Sequence, residues 1–279
     1  MPTSDLMSAP EIFRRPAVAG YYYPSDAQAL KTTVDALVRR EYHLMRATAL
    51  VLPHGSYAHA GGVIGATLSR LEVPRRCIII GPSHTGSWIP WSLMLRGAYR
   101  TPLGDVVIDA GCAEALHQRC AFLTPDAWTQ HGEHAIEVLL PFLQRLAPPD
   151  LTIVPIITGS DDPDECLQLA RAIAQVVRMQ EEPVLLIASS DLSHYEPEVR
   201  GAVQDHLLLE MITTLKSEAL IQYVQQRGVL MCGYAAAACV IDAARLLGAT
   251  HGTVAAYDTS VAAGGDPNSV IGYAGVVLT

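Results

Sequence analysis

The sequence predicts a single α/β domain with a mostly parallel or mixed central sheet flanked by helices. Short apolar runs alternate along the chain with helix-like segments, the order typical of a parallel sheet. Three of these runs, Thr48–Leu52, Cys77–Ile80 and Val184–Ala188, end at loops that carry histidine. Ligands of open α/β sheets bind outside the carboxyl ends of the strands, so we expect the three loops to meet at one edge.

The N-terminal part is predicted to hold a leader and one helix before the first strand. Residues 1–13 are expected to be poorly structured, and residues 14–279 to form the domain. Ser25 is the predicted N-cap of the first helix, with Leu30 and Val34 on its apolar stripe.

The next elements follow from the same alternation. Gly61–Leu71 is predicted to be a helix whose glycines allow close packing against the sheet. Cys77–Ile80 contains one Cys and three Ile, which suits a strand buried on both faces. Trp91–Gly97 and Asp105–Asp109, joined across residues 101–104, are predicted to form a β-hairpin.

The second half continues the alternation without a repeat or linker, which favours one domain. The further predicted helices are Glu133–Leu146, Asp164–Met179, Val199–Leu215, Ser217–Gln226 and one that starts near Cys232. The further predicted strands are Leu151–Thr158, Thr253–Asp258 and Ser269–Leu278.

Composition excludes several classes of protein. Apolar residues make up 50% of the chain and charged residues 17%, which supports a large core and argues against disorder. The net charge is −9 and no basic run exceeds an Arg-Arg pair, so we expect no nucleic-acid or membrane partner. No apolar stretch reaches the ~18–20 residues of a membrane span, and no signal peptide is evident. Six cysteines without a CxxC pair are then expected to be buried thiols of a cytoplasmic protein.

Two loops place a histidine after a strand. In Pro53-His54-Gly55-Ser56-Tyr57 the histidine follows the first strand, with His59 just beyond, and Gly81-Pro82-Ser83-His84 repeats the arrangement. A single loop histidine is more often solvated or structural than a ligand. Two at corresponding strand ends favour a shared site.

The third loop contains Asp191, His194 and Tyr195. Its residues suit a cap before a helix. Alternatively, Asp191 orients the imidazole of His194, as a general base or a metal-site neighbour requires. The serines also allow a Ser/His/Asp hydrolase, but no Gly-x-Ser-x-Gly elbow occurs.

Two further candidates for site residues each allow two interpretations. The first is the cluster of His131, Glu133, His134 and Glu137. A helix that starts at Glu133 would place His134 and Glu137 on one face. Glu133 and His134 would then either stabilise the start of the helix or belong to a functional site. This spacing is not the zincin motif. Cys232 is a small buried filler, or else a thiolate ligand or nucleophile whose pKa is lowered by a helix N-terminus.

Together these stretches resemble the Memo family, component B of the AmmeMemoRadiSam system, nearly from end to end. The five matching motifs, in order, are Pro53–Tyr57, Gly81–His84, Glu133–Gln144, Ser189–Tyr195 and Cys232-Gly233. Departures are Gly55-Ser56 in place of Ala-Gly, His59 in place of an aromatic residue, and no proline after Gly233.

The resemblance implies a fold similar to the LigB-type class III extradiol dioxygenases, with a cysteine in place of the metal-binding carboxylate. His54, His84 and Cys232 become candidate metal ligands, with Asp191 and His194 as acid/base partners. The candidate substrate pocket comprises Tyr57, His59, Ser83, Glu133, His134 and Tyr195. Iron or copper is the favoured metal, and zinc is the alternative.

Three functions remain open from the sequence. The first is a metal-dependent, dioxygenase-like redox protein in which His194 moves a proton for a small molecule or O₂. The second is a non-enzymatic module that binds a peptide, or an AMMECR1-like protein and a radical-SAM enzyme of the same system. A metal-free hydrolase built on Cys232 is the third.

Overall fold

The described residues, 13–39, 44–86 and 89–279 of a computed structural model, form one mixed β-sheet flanked by helices. This confirms the predicted α/β class. The strands are β1 (Phe13–Arg14), β2 (Ala49–Leu52), β3 (Arg76–Pro82), β4 (Trp91–Leu93), β5 (Ala98–Thr101), β6 (Gly104–Ile108), β7 (Thr124–Pro125), β8 (Thr152–Thr158), β9 (Val184–Ser189), β10 (His194–Glu196), β11 (Gly252–Thr259) and β12 (Val270–Leu278). The helices are α1 (Ala27–Leu37), α2 (Gly61–Leu68), α3 (Ala110–His117), α4 (Trp128–His131), α5 (Leu140–Leu146), α6 (Pro163–Arg178), α7 (Glu198–Thr213), α8 (Ser217–Arg227) and α9 (Tyr234–Leu246).

The centre of the sheet is parallel and its edges are mixed. The strand order is β1-β5-β6-β8-β3-β9-β2-β12-β10, with β11 paired to β12 and β4 paired to β8. Strands β8, β3, β9 and β2 run parallel to one another, and almost all of their residues are buried. Burial on both faces explains why these strands are continuous apolar runs.

Two predicted boundaries near the N-terminus are wrong. Asp26, not Ser25, caps α1, because its carboxylate accepts a hydrogen bond from the main-chain nitrogen of Ala29 at 2.8 Å. Phe13, predicted to belong to the leader, pairs with Ala98 in the sheet. The rest of the predicted leader lies outside the described residues.

The hairpin prediction has the correct second strand and the wrong first one. β6 pairs with β5, so the hairpin starts at Ala98. The segment Trp91–Leu93 instead pairs antiparallel with β8 and parallel with β7. Apolar alternation alone did not distinguish these two short neighbouring strands.

The predicted helix Glu133–Leu146 also starts too early. A short 3₁₀ turn covers Glu137–Leu139, and the α-helix begins only at Leu140. Glu133 and His134 therefore lie in an irregular segment before the helix. His134 and Glu137 do not form the predicted pair, because Glu137 is turned toward the N-terminal segment.

A buried ion pair attaches that N-terminal segment to the domain. The side chains of Arg14 and Glu137 contact each other and both are fully buried. Arg14 also donates hydrogen bonds to the main-chain oxygens of Gln130 and Glu133. Glu137 accepts from the main-chain nitrogen of Ala17 at 2.8 Å. The pair thus joins β1 to the segment that carries Glu133.

Two further features concern the chain as a whole. Within the described ranges, no helix has the length and apolar character required to cross a bilayer. All six cysteines are free, and Cys232 is the one that is not fully buried. The expectation of free rather than disulfide-bonded cysteines agrees with the structure.

Breaking the buried pair should destabilise the fold strongly. Glu137→Gln leaves the Arg14 guanidinium buried without its counter-charge, so we expect a loss of about 3–5 kcal/mol in the free energy of unfolding. Glu72→Gln is the matched control, because its pair with Arg46 is exposed to solvent and is therefore expected to contribute little to the free energy of unfolding. Urea denaturation measures both, and equal effects would contradict the assignment.

Candidate metal centre

Three neighbouring strands bring the predicted histidine loops together. β3, β9 and β2 lie side by side and end at the same edge of the sheet. Beyond that edge the ring centroids of His54 and His84 are 5.0 Å apart. His134 joins them, with its ring 5.5 Å from that of His54 and 4.6 Å from that of His84. The structure therefore forms one cluster from residues that are far apart in sequence.

The hydrogen bonds of His54 determine which of its nitrogens is free. Ser189 Oγ donates its single proton to the main-chain oxygen of Ala135 at 2.5 Å. Toward His54 Nδ1, 2.8 Å away, this hydroxyl can only accept. The proton of the neutral imidazole is therefore on Nδ1, and Nε2 has a free lone pair. Burial, aided by the neighbouring imidazole of His84, lowers the pKa of His54 to about 3.

A buried carboxylate orients His84 in the same way. Glu133 Oε1 lies 2.9 Å from His84 Nδ1, and Oε2 accepts from the main-chain nitrogen of His84 at 2.5 Å. Burial has the largest influence on the pKa of Glu133 and acts to raise it, but the hydrogen bonds and charge of His84 and the main-chain hydrogen bond from Ala135 together lower this pKa to about 2. Burial likewise acts to lower the pKa of His84, but the hydrogen bond and charge of Glu133, together with the charge of Asp191, raise it. An ionised Glu133 only accepts, so Nδ1 carries the proton and Nε2 has a free lone pair.

Cys232 completes the group. Its Sγ lies 3.2 Å from His54 Nε2. Cys232 precedes α9 by two residues, and the predicted lowering of its pKa is wrong: burial, with a contribution from the charge of Asp191, raises the pKa of the thiol. Because the His54 imidazole is also hard to protonate, the pair is a neutral thiol beside a neutral imidazole, not a thiolate beside an imidazolium.

A glycine allows the cysteine to approach the sheet. A Cβ on Gly233 would lie 2.4 Å from the main-chain oxygen of Ser189 and 2.5 Å from Ser190 Cβ. The main-chain nitrogen of Gly233 also donates to Ser190 Oγ at 3.1 Å. The Cys-Gly pair therefore has a steric reason, since a larger residue at position 233 would move Cys232 away from the end of β9.

The donor atoms are close enough to share a metal ion. One ligand atom from each of His54, His84 and Cys232 can be chosen so that all three lie within 4.8 Å of one another. The same holds for two overlapping groups: His84 with Glu133 and His134, and Cys232 with Asp191 and His194. Two imidazole lone pairs and one thiol are typical ligands of iron, copper and zinc, so the residues present fit such an ion.

The third loop contributes differently from the prediction. Asp191 Oδ2 lies 3.8 Å from His194 Nε2, too far for a hydrogen bond. The ring of His194 is instead oriented by the main-chain oxygens of Leu192 and Leu230, 3.0 and 2.8 Å from Nδ1. Asp191 accepts from the main-chain nitrogen of His54 at 2.8 Å, and burial raises its pKa. Asp191 thus positions the His54 loop, and the Nε2 of His194 stays available.

A cavity of about 590 Å³ lies next to the cluster. The predicted site residues that line it are His54, His59, His84, His134, Asp191, His194 and Tyr195. Burial lowers the pKa of His134 to about 4, so its ring is neutral. Tyr195 has a left-handed backbone, with φ of 60°, which is rare outside glycine and places its ring at the mouth.

Three predicted pocket residues do not line this cavity. Tyr57 lies behind it, where its hydroxyl donates to the main-chain oxygen of Val138 at 2.8 Å and its ring packs on Phe142. Glu133 is buried behind His84. The Ser83 hydroxyl is buried and has no hydrogen-bond partner in the described residues. The exposed His131 bonds to the main-chain oxygen of Ala127, outside the site.

Sequence reasoning missed several residues of the site. Tyr22 and Tyr273 line the cavity, and Ser189 fixes the protonation of His54. A Cβ on Gly55 would lie 2.9 Å from a ring carbon of Tyr273, so Gly55 gives this ring its position. The glycine at position 55, where the family motif has alanine, is the sequence feature that could have indicated this contact. However, Tyr273, against which Gly55 packs, is 218 positions away in the sequence.

Comparison with known proteins identifies the family of this chain. The sequence model of the family described as Memo-like protein matches residues 14–277. The chain belongs to the Memo family. A MEMO1 family protein of Methanopyrus kandleri is 34% identical over 278 residues, which cover 95% of this chain and 98% of the relative. A MEMO1 family protein of Aquifex aeolicus is 34% identical over 266 residues, with the same coverages.

A solved structure supports the fold as well. An uncharacterized protein from Escherichia coli K12 superposes with a TM-score of 0.54 at 15% identity, over 83% of this chain and all of the other. At that identity the match concerns the fold alone. The Memo family assignment rests on the sequence. Gly55, one of the residues that differ from its motifs, affects the shape of the cavity through its close approach to Tyr273.

Adding a methyl group at Gly233 should disrupt the centre. Gly233→Ala forces Cys232 away from His54, so we expect metal affinity to fall by about tenfold or more, the size of effect seen when supporting residues are altered. Gly62→Ala is the control, because a Cβ there meets nothing within 4 Å and a helical alanine is stabilising. Equilibrium metal titration compares the two, and unchanged affinity in Gly233→Ala would refute the steric argument.

Proposed function

We propose that this Memo family protein binds one redox-active metal ion through His54, His84 and Cys232 and uses it in dioxygenase-like chemistry on a small molecule. The contact between His54 Nε2 and Cys232 Sγ, 3.2 Å apart, is the observation that carries the proposal. The two imidazoles are fixed with Nδ1 as donor, which leaves their Nε2 atoms free, and one ligand atom from each of the three residues lies within 4.8 Å of the others.

The ligand set favours particular metals. Thiolate is a soft ligand and imidazole suits iron, copper and zinc, so the site should accept all three. We propose iron or copper as the physiological metal, because a redox function needs an ion with two accessible oxidation states. With zinc the same three ligands would leave one position for water, the arrangement of a hydrolytic site.

The chain's own groups would supply binding and proton transfer. The metal ion, when bound, would supply activation of O₂ and a Lewis-acid position for a substrate oxygen. Cys232 would release its thiol proton on binding the ion, and the neutral His54 would need no such change. His194, held through Nδ1 by two main-chain oxygens, can accept a substrate proton at Nε2. Asp191, 3.8 Å from that nitrogen, would stabilise the resulting imidazolium.

Two alternative functions are separable from this one. A non-enzymatic module that binds a peptide, an AMMECR1-like protein or a radical-SAM enzyme is favoured by two exposed aromatic residues at the mouth, Tyr21 and Tyr195, which are 87% and 65% exposed. Metal-loaded protein that consumes no O₂ with any catechol would favour it. The hydrolase built on Cys232 is disfavoured because the thiol is not ionised by its neighbours.

Removal of any of the three ligands should remove the metal. His54→Ala, His84→Ala and Cys232→Ser should each lower the metal bound per chain to less than about a tenth after purification without chelator. The matched controls are His59→Ala, which lines the same cavity, and His131→Ala outside it. Elemental analysis measures the metal content of each variant. Full metal occupancy in all three ligand variants would refute the proposed site.

Loss of His194 should slow the reaction without loss of metal. His194→Gln removes the proposed base, so we expect kcat for O₂ consumption with an active catechol to fall about 100-fold or more. Metal content should remain within experimental error of the parent protein. An oxygen electrode measures the rate, and an unchanged kcat would exclude His194 as the acid/base group.

A further inference from the structure

The walls of the cavity beside the cluster contain no permanent positive charge in the described part of the chain. Its lining comprises tyrosine, histidine, serine, glycine and isoleucine, with Asp191 as the one carboxylate. Nearby, Arg14 is already bonded to Glu137 and to main-chain oxygens. A carboxylate or phosphate on a ligand would therefore find no lysine or arginine partner there.

Negative charge, in contrast, is close to these walls. The carboxylate of Asp191 lies in the wall itself, and the carboxylate of Glu133 is buried behind His84. Their influence extends to the outer aromatic residues: after burial, the charges of Asp191 and Glu133 contribute to raising the pKa of Tyr22. Burial and then Asp191 raise that of Tyr273. With two carboxylates close by and no lysine or arginine among the described lining residues, the arrangement opposes an anionic substituent.

The aromatic residues can bind an uncharged or a cationic group. The hydroxyls of Tyr22, Tyr195 and Tyr273 form no hydrogen bond with other described residues, so each can donate to or accept from a ligand. Their ring faces also attract an ammonium group through cation–π interaction. Both features favour a substituent that donates hydrogen bonds over one that only accepts them.

We propose that this cavity selects a small aromatic ligand that carries an amine, and discriminates against one that carries a carboxylate or phosphate. This inference rests on the proposed function, because the metal ion would hold the ligand's hydroxyl oxygens. The outer walls, built by Tyr22, Tyr195, Tyr273 and Asp191, would then meet the substituent. The side chains of those walls would then discriminate between ligands that the same metal ion holds.

Three catechols that differ mainly in the charge of one substituent test the proposal. Dopamine carries an ammonium group, 4-methylcatechol an uncharged methyl group and 3,4-dihydroxybenzoate a carboxylate. Their Kd values are measured by calorimetry on zinc-loaded protein, which neither oxidises nor turns over the probes. We expect dopamine to bind about tenfold or more tightly than the benzoate, with 4-methylcatechol between them, and the difference to shrink as salt is added.

A substitution that changes the charge of the cavity wall provides a second test of the proposal. Ser269 lines the cavity and is exposed, so a longer side chain fits there. Ser269→Lys should reduce the preference for dopamine over the benzoate by about fivefold or more, while Ser269→Gln, similar in length and uncharged, should retain it.

The possible results separate the two proposals. If the benzoate binds as tightly as dopamine in the parent protein, charge selection is refuted while the metal-dependent binding of a small aromatic molecule stands. If none of the three probes binds although zinc is held, the proposed small-molecule function fails and the inference fails with it. Equal preferences in the Lys and Gln variants would likewise contradict selection by wall charge.

Discussion

The adjacency of three parallel strands is the constraint on which the site depends. Because β3, β9 and β2 are neighbours with the same direction, the loops after their carboxyl ends must share one edge of the sheet. His54, His84 and Asp191 are thereby brought together without any local sequence relationship. The register in which these strands pair determines the depth at which each loop begins.

Within that frame the site is organised by hydrogen bonds at the Nδ1 atoms. Ser189, Glu133 and two main-chain oxygens bind the Nδ1 atoms of His54, His84 and His194, so each ring has Nε2 available. Around His54, burial keeps both the imidazole and the thiol of Cys232 neutral. A metal ion would replace the thiol proton, which couples metal binding to proton release. Such a neutral pair suits a ligand site better than a nucleophile.

Much of the sheet and of the histidine cluster could be predicted from the sequence, and the predictions that failed did so for physical reasons. Buried strands are continuous apolar runs, so their ends and the residues after them, such as His54 and His84, can be located from sequence. The family motifs identified Cys232 as a candidate ligand, although its neutral thiol contradicts the predicted low pKa. Contacts between distant residues left no periodic signal: the pair of Arg14 with Glu137, the close approach of Gly55 to Tyr273, and the hydroxyl of Ser189 all depend on tertiary packing.

X-ray absorption spectroscopy at the metal edge of freshly purified protein shows whether Cys232 and two imidazoles hold one metal ion, as we propose. We expect one sulfur scatterer at about 2.3 Å and nitrogen scatterers at about 2.0–2.1 Å, distances typical of thiolate and imidazole bound to zinc and similar ions. The sulfur contribution should vanish in Cys232→Ser. A metal surrounded by oxygen and nitrogen alone in the parent protein would exclude Cys232 as a ligand.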